Sequence, residues 1–307
     1  MSKRAFIFPG QGSQYPGMGK DLADNFSVAR QIFQEADDAL GSSLSRLCFE
    51  GPEDQLKLTA NTQPAILTVS VAALRVLQAE TGLVADYLAG HSLGEYSALV
   101  ASGALRFADA VRTVRSRGTF MQEAVPVGVG AMAAMLNIEP DVLAAICVEA
   151  AQGEDVSPAN FNSPGQIVIA GHTGAVNRAI EIAKAKGFRK AMLLTVSAPF
   201  HSSLMVPAGE RLAEVLAAVT VGDLAAPVVT NVEAKPNQDK GRVNELLVRQ
   251  VSAPVLWDAS VREMVALGVT EFVEVGPGKV LSGLVKRIDK EVVTKNVEDA
   301  AGMKVIG

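Results

Sequence analysis

Short apolar runs alternate along the chain with longer stretches in which apolar residues return every three or four positions. That alternation predicts an α/β domain built on a mostly parallel sheet. Ala5 to Phe8 reads as a first strand, ended by Pro9-Gly10, and Tyr87 to Ala89 as a second. Between them, Pro64 to Glu80 is too long for one strand and rich in Ala and Leu, which predicts a largely buried helix. Phe107, Val111, Val114, Gly118 and Met121 recur at helical spacing and form one apolar stripe on a helix running to Ala124. Arg117 falls beside that stripe and Arg112 nearly opposite, so Arg117 is the basic residue expected to be partly buried.

The rhythm changes in the middle of the chain. A strand (Ala131 to Leu136), a helix (Asp141 to Ala151), two strands joined by a turn at Asn162 to Gly165, a helix (Ala175 to Lys186) and a strand (Lys190 to Val196) follow in order. That β-α-β-β-α-β succession is the ferredoxin-like motif, a compact unit of its own. Alternation then resumes with a helix from Ser202, a strand near Val228, a helix around Asn244 and a strand from Glu271 to Val275. The expected organisation is a discontinuous large α/β unit, 1–126 and 197–307, with a small ferredoxin-like unit, 127–196, inserted into it.

Composition narrows the function. The 307 residues carry 28 Lys and Arg against 33 Asp and Glu, a net charge of −5, which argues against a nucleic-acid partner. Apolar residues make up 49% and charged residues 20%, enough for a core and too little charge for a disordered chain. Cys48 and Cys147 stand far apart, so neither a disulfide framework nor a zinc site is expected, and no metal. The apolar run before Pro9 is too short for a signal peptide, and the uncharged stretch from Val156 to Asn177 is broken by Pro158 and Pro164. No membrane association and a cytoplasmic location are the expectation.

The sharpest chemical signal is Gly90-His91-Ser92-Leu93-Gly94, a G-x-S-x-G sequence between a predicted strand and a predicted helix, the context a nucleophile elbow requires. The bland reading is a strand-to-helix turn with a capping serine. A serine nucleophile needs a base, and only His91, His172 and His201 exist. His91 adjoins the serine on a sharp turn, where neighbouring side chains diverge. His172 and His201 both follow predicted strands, with His201 modestly favoured because it lies at the return to the large unit. Arg117 would seek a carboxylate or phosphate if buried, or simply snorkel to water. The loop Gly10-Gln11-Gly12-Ser13-Gln14-Tyr15-Pro16-Gly17 misses the G-x-G-x-x-G spacing and lacks a following Gly-Lys-Ser/Thr, yet its backbone could approach a ligand closely.

Taken together, FPGQGSQ (8–14), TQPAILTVSVAAL (62–74), AGHSLGEYSALV (89–100), RSRG (115–118), NFNSPGQIVIAG (160–171), APFH (198–201), RQVSAPVLW (249–257) and VGPGKVLSGL (275–284) resemble the malonyl-CoA:acyl carrier protein transacylases. The resemblance runs in order over nearly the whole chain. It implies a hydrolase-like α/β core with a ferredoxin-like insertion, Ser92 as nucleophile and His201 as its base. It also implies an oxyanion hole from the backbone N–H groups of Gln11 and Leu93, Arg117 on the malonyl carboxylate, and the backbone carbonyl of Gln250 orienting His201. Phe200 and Asn162 are expected to shape the pocket and its specificity, although Pro199 departs from the commonest form of the motif before the histidine.

Malonyl-CoA and acyl carrier protein would be the substrates, with no cofactor and a monomeric enzyme. The carrier protein is expected on basic residues such as Lys184, Lys186, Arg189, Lys190, Lys286 and Arg287. Two other readings stay open at this point: a serine esterase or thioesterase, and a non-catalytic nucleotide- or carrier-protein-binding module.

Overall fold

A computed structural model of the protein describes residues 3–196 and 198–306. The expected boundary of the inserted unit at residue 197 lies outside the described residues. Ten strands form two sheets among the described residues: β1 (Lys3–Phe8), β2 (Tyr87–Gly90), β3 (Gly130–Leu136), β4 (Val156–Ser163), β5 (Gln166–His172), β6 (Ala191–Leu193), β7 (Val228–Val229), β8 (Pro236–Asn237), β9 (Val269–Val275) and β10 (Val293–Val297).

The larger sheet has the order β10-β9-β1-β2-β7-β8. Every neighbour pair in it is parallel except β7 with β8. β1 lies at its centre, and Ala5, Phe6, Ile7 and Phe8 are all buried, as a strand covered by helices on both faces must be. One face packs on the helix Thr59–Thr81 and the helix Phe107–Glu123, the other on the helices Trp257–Ala266 and Val280–Ile288. This is the α/β core with a mostly parallel sheet expected from the alternation.

The central helix begins five residues before Pro64, with Pro64 inside it. A proline there removes one backbone donor. Burial of sixteen of the helix's residues, Pro64 among them, outweighs that loss. Four helices between Lys20 and Leu56 carry no reading at the sequence level, nor do the two helices and the strand that close the chain after Val275 apart from a turn near Gly276. Among the described residues no helix is long and apolar enough to cross a membrane.

The second sheet is antiparallel, in the order β4-β5-β3-β6. Helices Pro140–Ala151 and Thr173–Ala185 cover one face of it through Ile146, Cys147, Ala179 and Ile180, packed on Ile167 and Ile169. The two interleaved β-α-β passages are the ferredoxin-like arrangement. The last strand is shorter than expected: Ala191–Leu193 pairs with β3, Leu194 N–H still donates to Met132 O at 2.9 Å, and Leu194 and Val196 line the cleft described below. The uncovered face, with Met132, Val168 and Ala170, packs into the core of the larger unit. Phe161 N–H donates to Val255 O at 2.9 Å and Val255 N–H to Ala159 O at 2.9 Å, tying β4 to the segment of the larger unit that precedes the helix Trp257–Ala266.

Candidate active site

The G-x-S-x-G sequence joins β2 to the helix Gly94–Ala101, and the serine turns the corner. β1 and β2 run in register, with Phe8 opposite Gly90. Their carboxyl ends therefore carry the loop at Gly10-Gln11 and the elbow at Ser92 to the same edge of the sheet. The loop lies so close that a Cβ on Gly10 would stand 2.4 Å from His91 O. Gln11, Ser92, Leu93, Arg117, Phe200 and His201 line one cleft at that edge.

His201 comes from the other side, on the return from the small sheet. Its Nε2 lies 2.8 Å from Ser92 Oγ, and its Nδ1 2.8 Å from the carbonyl of Gln250. A carbonyl can only accept, so Nδ1 carries the proton and Nε2 presents a lone pair to the serine hydroxyl. Burial, then the neighbouring Arg117 charge, push the His201 pKa down to about 3. The imidazole is thus held neutral at neutral pH and ready to accept a proton.

Arg117 is only 1% exposed, so the guanidinium does not snorkel. Nη1 donates to Gln63 Oε1 at 2.8 Å, while Nη2 donates to Gln250 Oε1 at 3.0 Å and to Ser92 Oγ at 3.2 Å. It also lies over the ring of Tyr96, 5.6 Å from the centroid. Every polar partner named here is neutral, and Nε has no partner among the described residues. The nearest buried counter-charge is Glu95, whose pKa burial raises to about 7. A buried cation with neutral partners and an unused donor, beside a nucleophile, is suited to receiving an anionic group of a substrate.

Gln250 does more than its backbone carbonyl implies. Its side chain accepts from Arg117, and its Nε2 donates to Ser92 O at 3.0 Å and to Glu95 Oε2 at 2.7 Å. Among the described residues, no protein acceptor takes up the N–H of Gln11 or Leu93, so both remain available to an oxyanion in the cleft. Asn162 is not part of the lining around Ser92. Its Oδ1 meets His91 Nε2 at 2.8 Å, and it borders an adjoining cavity with Gly10, Gln166 and Leu284. His172, the other open histidine, accepts from Asp155 N–H at 3.0 Å and does not line the cleft.

Four residues of this site escaped the sequence: Gln63, Glu95, Tyr96 and Asn231. Glu95 left one signal, a carboxylate in the apolar run EYSALVA. Asn231 left none, because it meets the elbow only through the pairing of β2 with β7.

Comparison with known proteins agrees with this geometry. The acyl transferase domain family matches residues 5–307. A "Malonyl CoA-acyl carrier protein transacylase" of Bacillus subtilis is 51% identical over 97% of this chain and 94% of its own. A solved acyl carrier protein S-malonyltransferase from Vibrio cholerae superposes with a TM-score of 0.97 at 46% identity, covering 100% of both chains. A malonyl-transacylase solved in complex with its type II PKS acyl-carrier protein is 47% identical with a TM-score of 0.97, covering 99% of this chain and 98% of that one. With nearly the whole chain matched, and a serine, a histidine and a buried arginine converging in one cleft, the protein belongs to the acyl transferase domain family.

Proposed function

We propose that the protein transfers the malonyl group from malonyl-CoA to the phosphopantetheine thiol of acyl carrier protein through a malonyl-serine intermediate, supplying extender units for fatty acid synthesis. The observation that carries this reading is the buried guanidinium of Arg117 beside the Ser92–His201 pair, with neutral partners throughout. Malonyl is a thioester substrate with a free carboxylate two carbon–carbon bonds from its reacting carbonyl carbon, which suits a cation next to the nucleophile.

In the first half-reaction His201 Nε2 takes the proton of Ser92 Oγ as the oxygen bonds to the thioester carbon. The negative charge of the tetrahedral intermediate falls on the former carbonyl oxygen, between the N–H groups of Leu93 and Gln11. As the intermediate collapses the carbon–sulfur bond breaks, and the imidazolium returns its proton to the departing CoA thiolate. A malonyl ester of Ser92 remains. In the second half-reaction the phosphopantetheine thiol gives its proton to His201, attacks the ester carbon, and the serine leaves with that proton. The developing negative charge supplies what His201 lacks at rest, because it stabilises an imidazolium that burial otherwise disfavours.

Phe200 borders the acyl pocket, where its ring would crowd an α-methyl branch on the acyl group, whereas Asn162 acts through His91. No cofactor takes part, and a cytoplasmic monomer whose carrier protein meets basic residues at the surface belongs to the same reading. So does the division into 1–126 with 197–307 and 127–196, supported by the two separate sheets. The esterase reading gains no support: the base is oriented by a carbonyl, and a charged acyl clamp has no use in simple ester hydrolysis.

The test is the intact mass of the protein after mixing with malonyl-CoA. A malonyl adduct is expected on the native chain and not on Ser92→Ala, and acyl carrier protein should discharge it much faster than water. Failure to form any adduct would refute the mechanism.

A further inference from the structure

The nucleophile sits on a backbone that its residue type disfavours. Ser92 has φ 49°, in the left-handed region. That conformation costs a residue with a side chain on the order of 1–2 kcal/mol and persists only where the surroundings over-determine it. The turn's own bonds, Gly94 N–H to His91 O at 2.9 Å and Glu95 N–H to Ser92 O at 3.1 Å, lie past the corner. They leave two groups flanking it, the N–H of Ser92 and the C=O of Gly90.

One side chain takes both. Asn231 Oδ1 accepts from Ser92 N–H at 2.7 Å, and Asn231 Nδ2 donates to Gly90 O at 2.7 Å. These partners fix the orientation of the amide, since an N–H only donates and a C=O only accepts. Reversed, it would set like against like at both ends. Asn231 is itself 1% exposed. Its N–H donates to Glu95 Oε2 at 3.1 Å, and its carbonyl accepts from Leu256 N–H at 2.9 Å. β7 delivers it there by pairing with β2, Ala89 opposite Val229, with Ser92 three residues after the one and Asn231 two after the other.

We infer that Asn231 is a positioning residue for acyl transfer: its amide clamps the elbow across Ser92, holds the left-handed backbone, and so keeps Oγ within reach of His201. The inference rests on the proposed function only in taking Ser92 as the nucleophile. It also assigns the Ser92 N–H to the clamp, which leaves oxyanion stabilisation to Gln11 and Leu93.

The experiment compares wild type, Asn231→Ala and Asn231→Asp in single-turnover acylation by malonyl-CoA. Adduct is followed by intact mass and normalised to folded protein from thermal melts. Both variants are expected to acylate about 100-fold more slowly, the scale of a misplaced reacting group. The concentration of malonyl-CoA giving half-maximal rate should stay unchanged, because Gln63 and Gln250 still hold Arg117.

Asn231→Asp carries the decisive readout and keeps the native volume if the alanine variant fails to fold. Protonated, its carboxyl can donate to Gly90 O and accept from Ser92 N–H as the amide does; ionised, it opposes Gly90 O. The titratable and charged groups around it are Glu95, Arg117, His91 and His201, all present in the wild type as well. The ratio of variant to wild-type rate should therefore climb as pH is lowered. Wild-type rates per folded molecule in either variant, or a slow Asp variant whose ratio stays flat with pH, overturn the inference. Failure of the wild type to form an adduct would instead overturn the proposed function.

Discussion

At the scale of single residues, the site turns on how Arg117 is satisfied before substrate arrives. Gln63 and Gln250 each accept one bond from it, and Ser92 Oγ accepts a third. Burial disfavours the charged form of the guanidinium, so an incoming carboxylate would relieve a cation short of counter-charge. An acetyl group offers no such relief. Arg117→Ala should therefore lose malonyl transfer by a factor on the order of 100 or more, as expected when a charged hydrogen-bonding partner is removed, while acetyl transfer is kept or gained. The measurement is acylation by malonyl-CoA and acetyl-CoA in parallel, and an equal loss of both would contradict the clamp. Ser92 was legible from its motif alone, but pairing it with His201, and giving Arg117 a carboxylate, needed the resemblance. Physical reading of the sequence leaves both His172 and a snorkelling Arg117 open, because burial of one polar side chain depends on partners far away in the chain.

At the scale of elements, the elbow works because a strand, a corner and a helix are pressed together without room for a side chain. A Cβ on Gly94 would stand 2.0 Å from Phe8 O, a backbone atom at the end of the central strand that cannot swing aside. Gly94→Ala should therefore separate β1 from the helix behind the serine. A loss near or beyond the upper end of the ~1–3 kcal/mol typical of overpacking is expected, together with a fall in acylation rate. Gly283, in the helix Val280–Ile288, is the control, since a Cβ there meets nothing within 4 Å. Gly283→Ala should raise stability by up to about 1 kcal/mol through helix propensity and leave acylation alone. Paired thermal melts and acylation rates decide it, and a Gly94→Ala protein that melts and reacts like the wild type would remove the packing argument. Long periodic elements such as Phe107–Glu123 and the order of the small sheet were legible from the sequence. Helices of four to seven residues such as Glu53–Leu56 and Leu44–Glu50, and the two-residue strand Val228–Val229, were not resolved or only loosely placed, because they are too short to show a period and tertiary packing sets their limits.

At the scale of the whole molecule, the cleft is roofed by the small sheet and floored by the large one, and closing it buries groups whose protonation then couples to folding. His201 is held neutral, with a pKa of about 3 against an ordinary 6.5. Its contribution to stability is present above pH 6.5 and is lost as pH falls from there toward 3. Burial raises the Glu95 pKa from 4.5 to about 7, so its carboxyl keeps its proton through the mildly acidic range. Its contribution is present below pH 4.5 and is lost as pH rises through 7. Between 4.5 and 6.5 the two slopes oppose one another, so these groups produce a plateau there with a decline on either side. Glu95→Gln isolates the upper limb: its amide oxygen can still accept from Asn231 N–H and Gln250 Nε2, but nothing ionises. The stability of Glu95→Gln relative to wild type should increase by on the order of 3 kcal/mol as pH is raised from below 4.5 to above 7. Denaturant titrations of both proteins across that range measure it. A constant difference would mean that Glu95 is already ionised in the folded cleft, serving Arg117 as a full counter-ion. Malonyl would then have to displace a formed ion pair rather than complete an unfinished one, and the selectivity argued from Arg117 would lose its physical basis.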